Sequence, residues 1–199
     1  MSLFEQYDTE DVAALIRDYP LAWVLPADAN AADASLLPLV GEYDAAGQLV
    51  SIIGHVPRAN TLTAALRADS RATILFSGPN GYVSPEHAGR RDWGPTWNFA
   101  QVRVAARITL DAVLTDESLD VLIDALERNR AEPWTSAELG ARYTGMAQAI
   151  IGFRATVLAV HGRFKLGQDE RPETLQSILE RHPDEALKSW MRRLSSGRC

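Results

Sequence analysis

Leu36-Leu37-Pro38-Leu39-Val40-Gly41-Glu42-Tyr43-Asp44-Ala45-Ala46-Gly47-Gln48-Leu49-Val50-Ser51-Ile52-Ile53-Gly54-His55 is the stretch on which the fold reading turns. Two apolar runs, Leu36–Tyr43 and Leu49–His55, flank Asp44-Ala45-Ala46-Gly47, a small and turn-forming segment, so the pair predicts an antiparallel hairpin. Upstream, Leu21–Leu25 is a compact apolar run and predicts another strand. Downstream, Arg71–Ser77 is β-branched and aromatic, and Gly78-Pro79-Asn80-Gly81 predicts a turn that ends it. Extended structure resumes at Tyr82–Ser84. Trp97–Leu110 predicts a long strand in which Val102, Val104 and Ala106 alternate with Arg103, Ala105 and Arg107.

The second half adds helices. Asp116–Arg130 places Leu119, Leu122, Ile123 and Leu126 on one stripe. Thr135-Ser136-Ala137-Glu138 is a capping box that opens a second helix. Ile150–Val160 predicts a returning core strand. Pro172–Glu180 and Pro183–Leu194 predict two final helices, each with proline near its first turn, the last with Leu187, Trp190, Met191 and Leu194 on one face. Ala27–Asp33 reads as a short Ala/Asp/Asn loop. The whole predicts an α+β, mainly β chain, one domain over 1–199 with a C-terminal helical extension at about 170–199.

Bulk properties agree. The chain has 199 residues, 46% of them apolar and 23% charged, the composition of a folded globular protein. Its single cysteine is Cys199, so an internal disulfide is excluded. No run approaches the ~18 apolar residues of a membrane span, and the acidic start lacks the pattern of a signal peptide, so the cytoplasm is expected. Residues 1–33 carry seven acids and one arginine, whereas residues 54–103 carry six arginines against three acids. A mildly cationic middle within a chain of net charge −6 suits a small anionic ligand better than a DNA phosphate track.

Familiar catalytic patterns are missing: no nucleophile elbow, no Walker loop, no dinucleotide fingerprint and no Cys/His metal spacing. No metal is expected. Three polar clusters stand at strand ends instead. His55, Arg58, Asn60 and Thr61 run from a strand into a helix at about Leu62–Ala68, where free N–H groups and the helix dipole suit a phosphate; the alternative is that Asn60 or Thr61 merely caps that helix. Thr96, Trp97 and Asn98 put an aromatic plane beside hydroxyl and amide groups, fit for a flat heterocycle or simply for core packing. Lys165 and Gln168 follow the last strand, either at a ligand or in a plain charged loop.

In order along the chain, Leu37-Pro38-Leu39, Gly54-His55-x-x-Arg58-Ala59-Asn60, Phe76-x-Gly78-Pro79-x-x-Tyr82-Val83-Ser84-Pro85, Pro95-Thr96-Trp97-Asn98-Phe99, Ile151-Gly152-Phe153 and Lys165-Leu166-x-Gln168 resemble the PaiB family of FMN-binding negative transcriptional regulators. The resemblance implies an antiparallel, Greek-key type FMN-binding split β-barrel with peripheral helices, of the kind seen in pyridoxamine-phosphate oxidases, working as a homodimer. It implies FMN contacts from His55, Arg58, Asn60, Thr61, Ser84, Thr96, Trp97, Asn98, Lys165 and Gln168, with the flavin ring between subunits: Trp97 and Asn98 of one chain meeting Lys165 and Gln168 of the other. The chain departs from the family at Leu36 (a His there), at Glu86-His87-Ala88 (an aromatic pair), at Gly167 (Ser) and at Asp169 (Asn).

The function so implied is that of a flavin-dependent regulatory or stress-related protein. Two alternatives stand beside it: a flavin-dependent oxidoreductase acting on a small molecule, and a haem-binding split barrel using His55, His87 or His161. No acid–base pair is singled out, so catalysis stays open. Direct DNA binding is not expected, because no recognition helix is present and Lys188-Ser189-Trp190-Met191-Arg192-Arg193 reads as a solvated helix face.

Overall fold

The computed structural model describes residues 2–27 and 33–196. Seven strands form one sheet: β1 (Leu21–Pro26), β2 (Ser35–Pro38), β3 (Val40–Tyr43), β4 (Leu49–Pro57), β5 (Arg71–Val83), β6 (Thr96–Asp111) and β7 (Ile150–Lys165), in the order β2-β1-β5-β6-β7-β4-β3. Helices α1 (Thr9–Asp18), α2 (Thr61–Ala68), α3 (Pro85–Ala88), α4 (Leu114–Glu127), α5 (Arg142–Gln148), α6 (Pro172–Arg181) and α7 (Glu185–Ser196) interleave with them. Among the described residues no helix is long and apolar enough to cross a membrane. The expected Ala27–Asp33 loop lies, except for its two end residues, outside the described residues.

Two compact units partition the chain. The larger, Thr9–Phe76 with Val102–His161, holds all or part of every strand. Here β2 and β3 sit at opposite ends of the strand order, yet only Leu39 separates them in sequence. The predicted strand Leu36–Tyr43 therefore divides at Leu39. Its first half pairs with β1 and its second with β4, and β2 also packs against β4. Such a connection requires the sheet to curl until its two edges meet, and closure removes the exposed edges that invite aggregation.

The hairpin turn is as expected, with the Asp44 carboxylate accepting from the Ala46 and Gln48 N–H groups. β6 alternates as predicted, Val102, Val104 and Ala106 buried against exposed Arg103 and Arg107. Helix α1 was not foreseen, although it buries Val12, Leu15 and Ile16 at helical spacing. α4 differs in its buried face. It turns Thr115, Ser118 and Leu122 inward, where the Thr115 hydroxyl accepts from the Gly152 N–H, and leaves Leu126 exposed. The capping box is present, with Glu138 accepting from the Thr135 N–H, but it opens only a 3-10 turn at Ser136–Leu139.

The second unit comprises Met1–Asp8, Ser77–Gln101 and Gly162–Cys199. The turn predicted at Gly78-Pro79-Asn80-Gly81 does not form, and β5 runs straight through to Val83. Neither Gly78 nor Gly81 takes a positive φ. Gly78 and Pro79 are buried in succession, so the alternation merely slips by one residue. Gly81 serves close approach instead: a Cβ there would stand 2.9 Å from a Leu187 methyl and 3.2 Å from the His182 ring.

The α7 stripe is confirmed, with Leu187, Trp190, Met191 and Leu194 buried and the Phe164 ring stacked on Trp190 at 6.1 Å. Of its basic residues Lys188 is less solvated than expected, while Arg192 and Arg193 are exposed. Lys188 is buried and pairs with Glu185 at 2.5 Å, while the Arg193 guanidinium lies 5.5 Å from the Trp190 ring centre.

Candidate functional site

The first candidate cluster sits where β4 hands over to α2, in the larger unit. Asn60 is the N-cap of α2: its side-chain oxygen accepts from the Leu62 N–H at 2.9 Å and from the Ser35 hydroxyl at 3.0 Å. The capping alternative is therefore real, and any contact of Asn60 with an anion falls to its amide nitrogen. Arg58 is fixed by two bonds to the end of α5, its backbone N–H to Ala149 and its Nε to the Gln148 carbonyl. That anchoring leaves the two Nη groups to meet a ligand. Thr61 opens the helix and is exposed.

His55 is half-buried on β4, and its Nδ1 is buried with no hydrogen-bond partner. Burial pushes the imidazole below its usual range. An orphaned ring nitrogen costs about 1–3 kcal/mol, and an anionic oxygen would satisfy it. The fit to an FMN phosphate is good: one orphaned imidazole, one anchored guanidinium, one amide and the N-terminus of α2.

The remaining candidates lie in the second unit. Trp97 is exposed on β6, its ring tilted against Tyr82 at 6.1 Å and its Nε1 donating to the Asn80 side chain at 3.3 Å. It lines a cleft of about 230 Å³ with Ser77, Asn80 and Phe99. Asn98, the next residue, faces the other way and is buried, its amide 3.7 Å from the Met191 sulfur. Lys165 donates to the Thr96 hydroxyl and to the Trp97 carbonyl, the latter at 3.2 Å. Thr96, Trp97 and Lys165 thus meet within one chain.

Two candidates are engaged in local structure. Gln168 accepts from the Leu166 N–H at 2.7 Å and donates to the Phe164 carbonyl at 2.5 Å, stapling its own turn. Beside it Gly167 has φ +86°, a conformation that resists the Ser typical of the family, so this departure follows from the backbone. Ser84 caps α3, accepting from the Glu86 N–H at 3.1 Å, while its own N–H donates to His87 Nδ1 at 3.2 Å. That bond occupies one of the nitrogens considered for haem. The residues missed from the sequence are Ser35, Asn80 and Tyr82. Asn80 and Tyr82 are spaced i, i+2, a signal hidden as long as Gly78–Gly81 reads as a turn.

A larger cavity, about 470 Å³, lies between α1, β3 and the end of α4 and contains none of these residues. Size alone does not make it the site. Its two arginines already have carboxylate partners, Arg17 with Glu10 and Asp18 and Arg128 with Asp124.

Comparisons with known proteins agree with this picture. The chain is 21% identical over 184 residues to "Protease synthase and sporulation protein PAI 2" of Bacillus subtilis, covering 92% of this chain and 87% of the relative, as the PaiB resemblance implies. Among solved structures, the FAD and heme binding protein from Mycobacterium smegmatis superposes with a TM-score of 0.59 at 15% identity, covering 85% of this chain and 78% of the other. The flavocytochrome Anf3 from Azotobacter vinelandii gives 0.56 at 19% identity, covering 80% and 68%. These likenesses establish the expected fold, a mainly β split barrel with peripheral helices. Residues 1–159 match the model of the family described as "Putative FMN-binding domain", so the chain belongs to that family and its cofactor is FMN.

Proposed function

We propose that the chain is a cytoplasmic, PaiB-type regulatory or stress-related flavoprotein, built as one domain with a helical extension at about 170–199 and active as a homodimer. The observation that carries the reading is the partnerless Nδ1 of His55 at the strand-to-helix turn. A folded chain keeps such a group where a ligand completes it. His55, Arg58, the Asn60 amide and the first turn of α2, where Thr61 lies, form the phosphate cradle. The exposed, Asn80-oriented Trp97 is the candidate contact for the flavin ring, with Lys165 and Thr96 beside it; Asn98, Ser84 and Gln168 support these elements from within. FMN supplies redox chemistry when bound, and the protein's part is binding and orientation.

The name of the Bacillus relative ties that protein to protease synthesis and sporulation, which supports a regulatory reading here. Direct contact with DNA is not part of it, because the chain carries a net charge of −6 and Lys188 is buried against Glu185. The homodimer is supported by an apolar outer face. Trp23 on β1 stands opposite Leu36 of β2 and opposite Leu75 of β5, with Leu21 two residues along. Trp23, Leu36 and Leu21 are all exposed, a patch of the kind that marks an interface.

The test is the visible spectrum of the purified protein, followed by titration of Arg58→Ala with FMN and with riboflavin. Flavin bands are expected, with FMN affinity falling roughly tenfold or more while riboflavin is unchanged, since only FMN carries the phosphate. Equal losses for both ligands would send the phosphate elsewhere, and a Soret band would move the protein to the haem reading.

A further inference from the structure

α3 and α6 pack together, and between the end of one and the start of the other lies an open cleft of about 280 Å³. Arg90, Arg171 and Arg181 frame it, with Thr174 and Ser177 behind them and Glu173 as the one acid on the wall. Arg90 is held in a two-pronged pair with Asp92, at 3.2 and 2.8 Å. Arg181 gives one N–H to the Glu86 carbonyl at 3.2 Å. The Ser177 hydroxyl is spent on the His87 carbonyl at 2.9 Å. Arg171 is exposed, its side chain makes no hydrogen bond among the described residues, and its charge acts on Asp92.

The start of α6 is equally unfinished. Arg171 is its N-cap and makes no side-chain cap bond, while Pro172 takes the first position, where an N–H is not needed. The N–H groups of Glu173 and Thr174 belong to the first turn and have no acceptor within the helix. Thr174 is only 4% exposed, and its hydroxyl makes no hydrogen bond among the described residues although it lines the cleft. The Thr174 hydroxyl, two open amides and three guanidinium groups thus converge on one concavity.

We propose that this cleft binds a phosphate group, free or as the terminal group of a small phosphomonoester, at a site separate from the cofactor. Guanidinium forks match phosphate oxygens in pairs, and the N-terminus of a ten-residue helix favours negative charge. The tetrahedral anion points its oxygens in separate directions, a shape suited to meeting Arg171, Arg181 and the Thr174 hydroxyl from different walls of the cleft. Glu173 points to recognition of a ligand that also carries donors, such as the hydroxyls of a phosphorylated polyol.

The experiment is calorimetric titration of FMN-saturated protein with inorganic phosphate and, separately, with glycerol phosphate, at an ionic strength held constant with sodium chloride. Arg171→Gln removes an exposed guanidinium whose charge also acts on Asp92; Thr174→Val removes the hydroxyl at constant shape. Phosphate binding is expected in the wild type, with roughly a tenfold loss in Arg171→Gln, a smaller loss in Thr174→Val and an unchanged flavin spectrum. Tighter binding of glycerol phosphate assigns the site to an organic phosphate, and tighter binding of inorganic phosphate assigns it to the free anion. The proposal is overturned if both variants bind phosphate like the wild type or if chloride alone gives the same heats. It also falls if Arg171→Gln releases FMN, since the cleft would then hold the cofactor's own phosphate.

Discussion

Replacing Asn60 in two different ways separates its role as a cap from its role as a ligand. Its side-chain oxygen holds two donors, the Leu62 N–H and the Ser35 hydroxyl. Asn60→Ala removes both bonds. Loss of the cap costs about 1 kcal/mol, and the stranded, buried Ser35 hydroxyl about 1 kcal/mol more. A deficit of about 2 kcal/mol corresponds to roughly 4–8 °C in the melting temperature of a chain this long. Asn60→Asp keeps the acceptor and caps equally well, and its charge is welcome at a helix N-terminus, so stability should stay within about 0.5 kcal/mol. It does, however, exchange the amide donors for a second negative oxygen facing the phosphate. One charge-assisted bond lost is worth about 1.5–3 kcal/mol, a tenfold to hundredfold fall in FMN affinity before any like-charge repulsion. Melting curves should be taken on apoprotein, so that lost ligand does not pass for lost stability. Affinities should be read by flavin fluorescence for FMN and riboflavin side by side. An Asn60→Asp protein that binds FMN as the wild type does, while Asn60→Ala melts low, would show that Asn60 is a cap and nothing more.

Three further outcomes follow from the same coordinates. Burial lowers the His55 pKa, so the unfolded chain takes up a proton at about 6.5 before the folded one does; apoprotein therefore keeps the full His55 contribution above that pH and loses it as pH falls through the folded value. An FMN phosphate at Nδ1 favours the protonated ring, so the rise in melting temperature given by FMN should grow from pH 8 to pH 6 and lose that slope in His55→Gln; an unchanged slope in the variant removes His55 from the cradle. Trp23→Glu with Leu36→Glu should convert a dimer into a folded monomer by sedimentation at micromolar protein, and a dimer that survives both charges lies on another face. Duplex DNA at physiological salt should bind no more tightly than about 10⁻⁴ M, as weak non-specific binders do, and a competitor-resistant footprint at submicromolar protein would refute this.

The fold was legible wherever burial followed a simple period. β6 and α7 stand where alternation and the i, i+3, i+4 pattern put them, and β1, α2 and α6 where an apolar run, a strand-to-helix cluster and a helix-opening proline did. It was not legible where a residue type has two uses. Gly78-Pro79-Asn80-Gly81 has the composition of a turn, yet Gly81 is glycine because Leu187 and His182 press against it, a constraint set by residues a hundred positions away. Leu36–Tyr43 reads as one strand because nothing local marks Leu39 as the corner at which the sheet closes. The stripe of α4 misled because its helix buries the hydroxyls of Thr115 and Ser118, which look solvent-facing until Gly152 and the Thr115 carbonyl supply their partners.

The same ambiguity governs the site, and it bears on what a motif can tell. Asn60, Ser84 and Gln168 recur in the family pattern as polar residues at strand ends, which suggests contact with a ligand. In the structure each satisfies backbone N–H groups that the change from strand to helix or turn leaves open. Such residues shape a site whether or not they touch the ligand, because they fix the angle at which the chain leaves the sheet. His55 and Thr174 are different: the Nδ1 of His55 is buried without a partner, and the hydroxyl of Thr174 makes no hydrogen bond among the described residues where it lines its cleft. A pattern of residue types does not separate these two classes. The accounting of donors and acceptors does, since a group that the fold itself leaves unsatisfied is where a ligand gains most by binding. On that criterion His55 is the proposed contact for the FMN phosphate and Thr174 that for a second anion, and the two variants His55→Gln and Thr174→Val should each impair one ligand and spare the other.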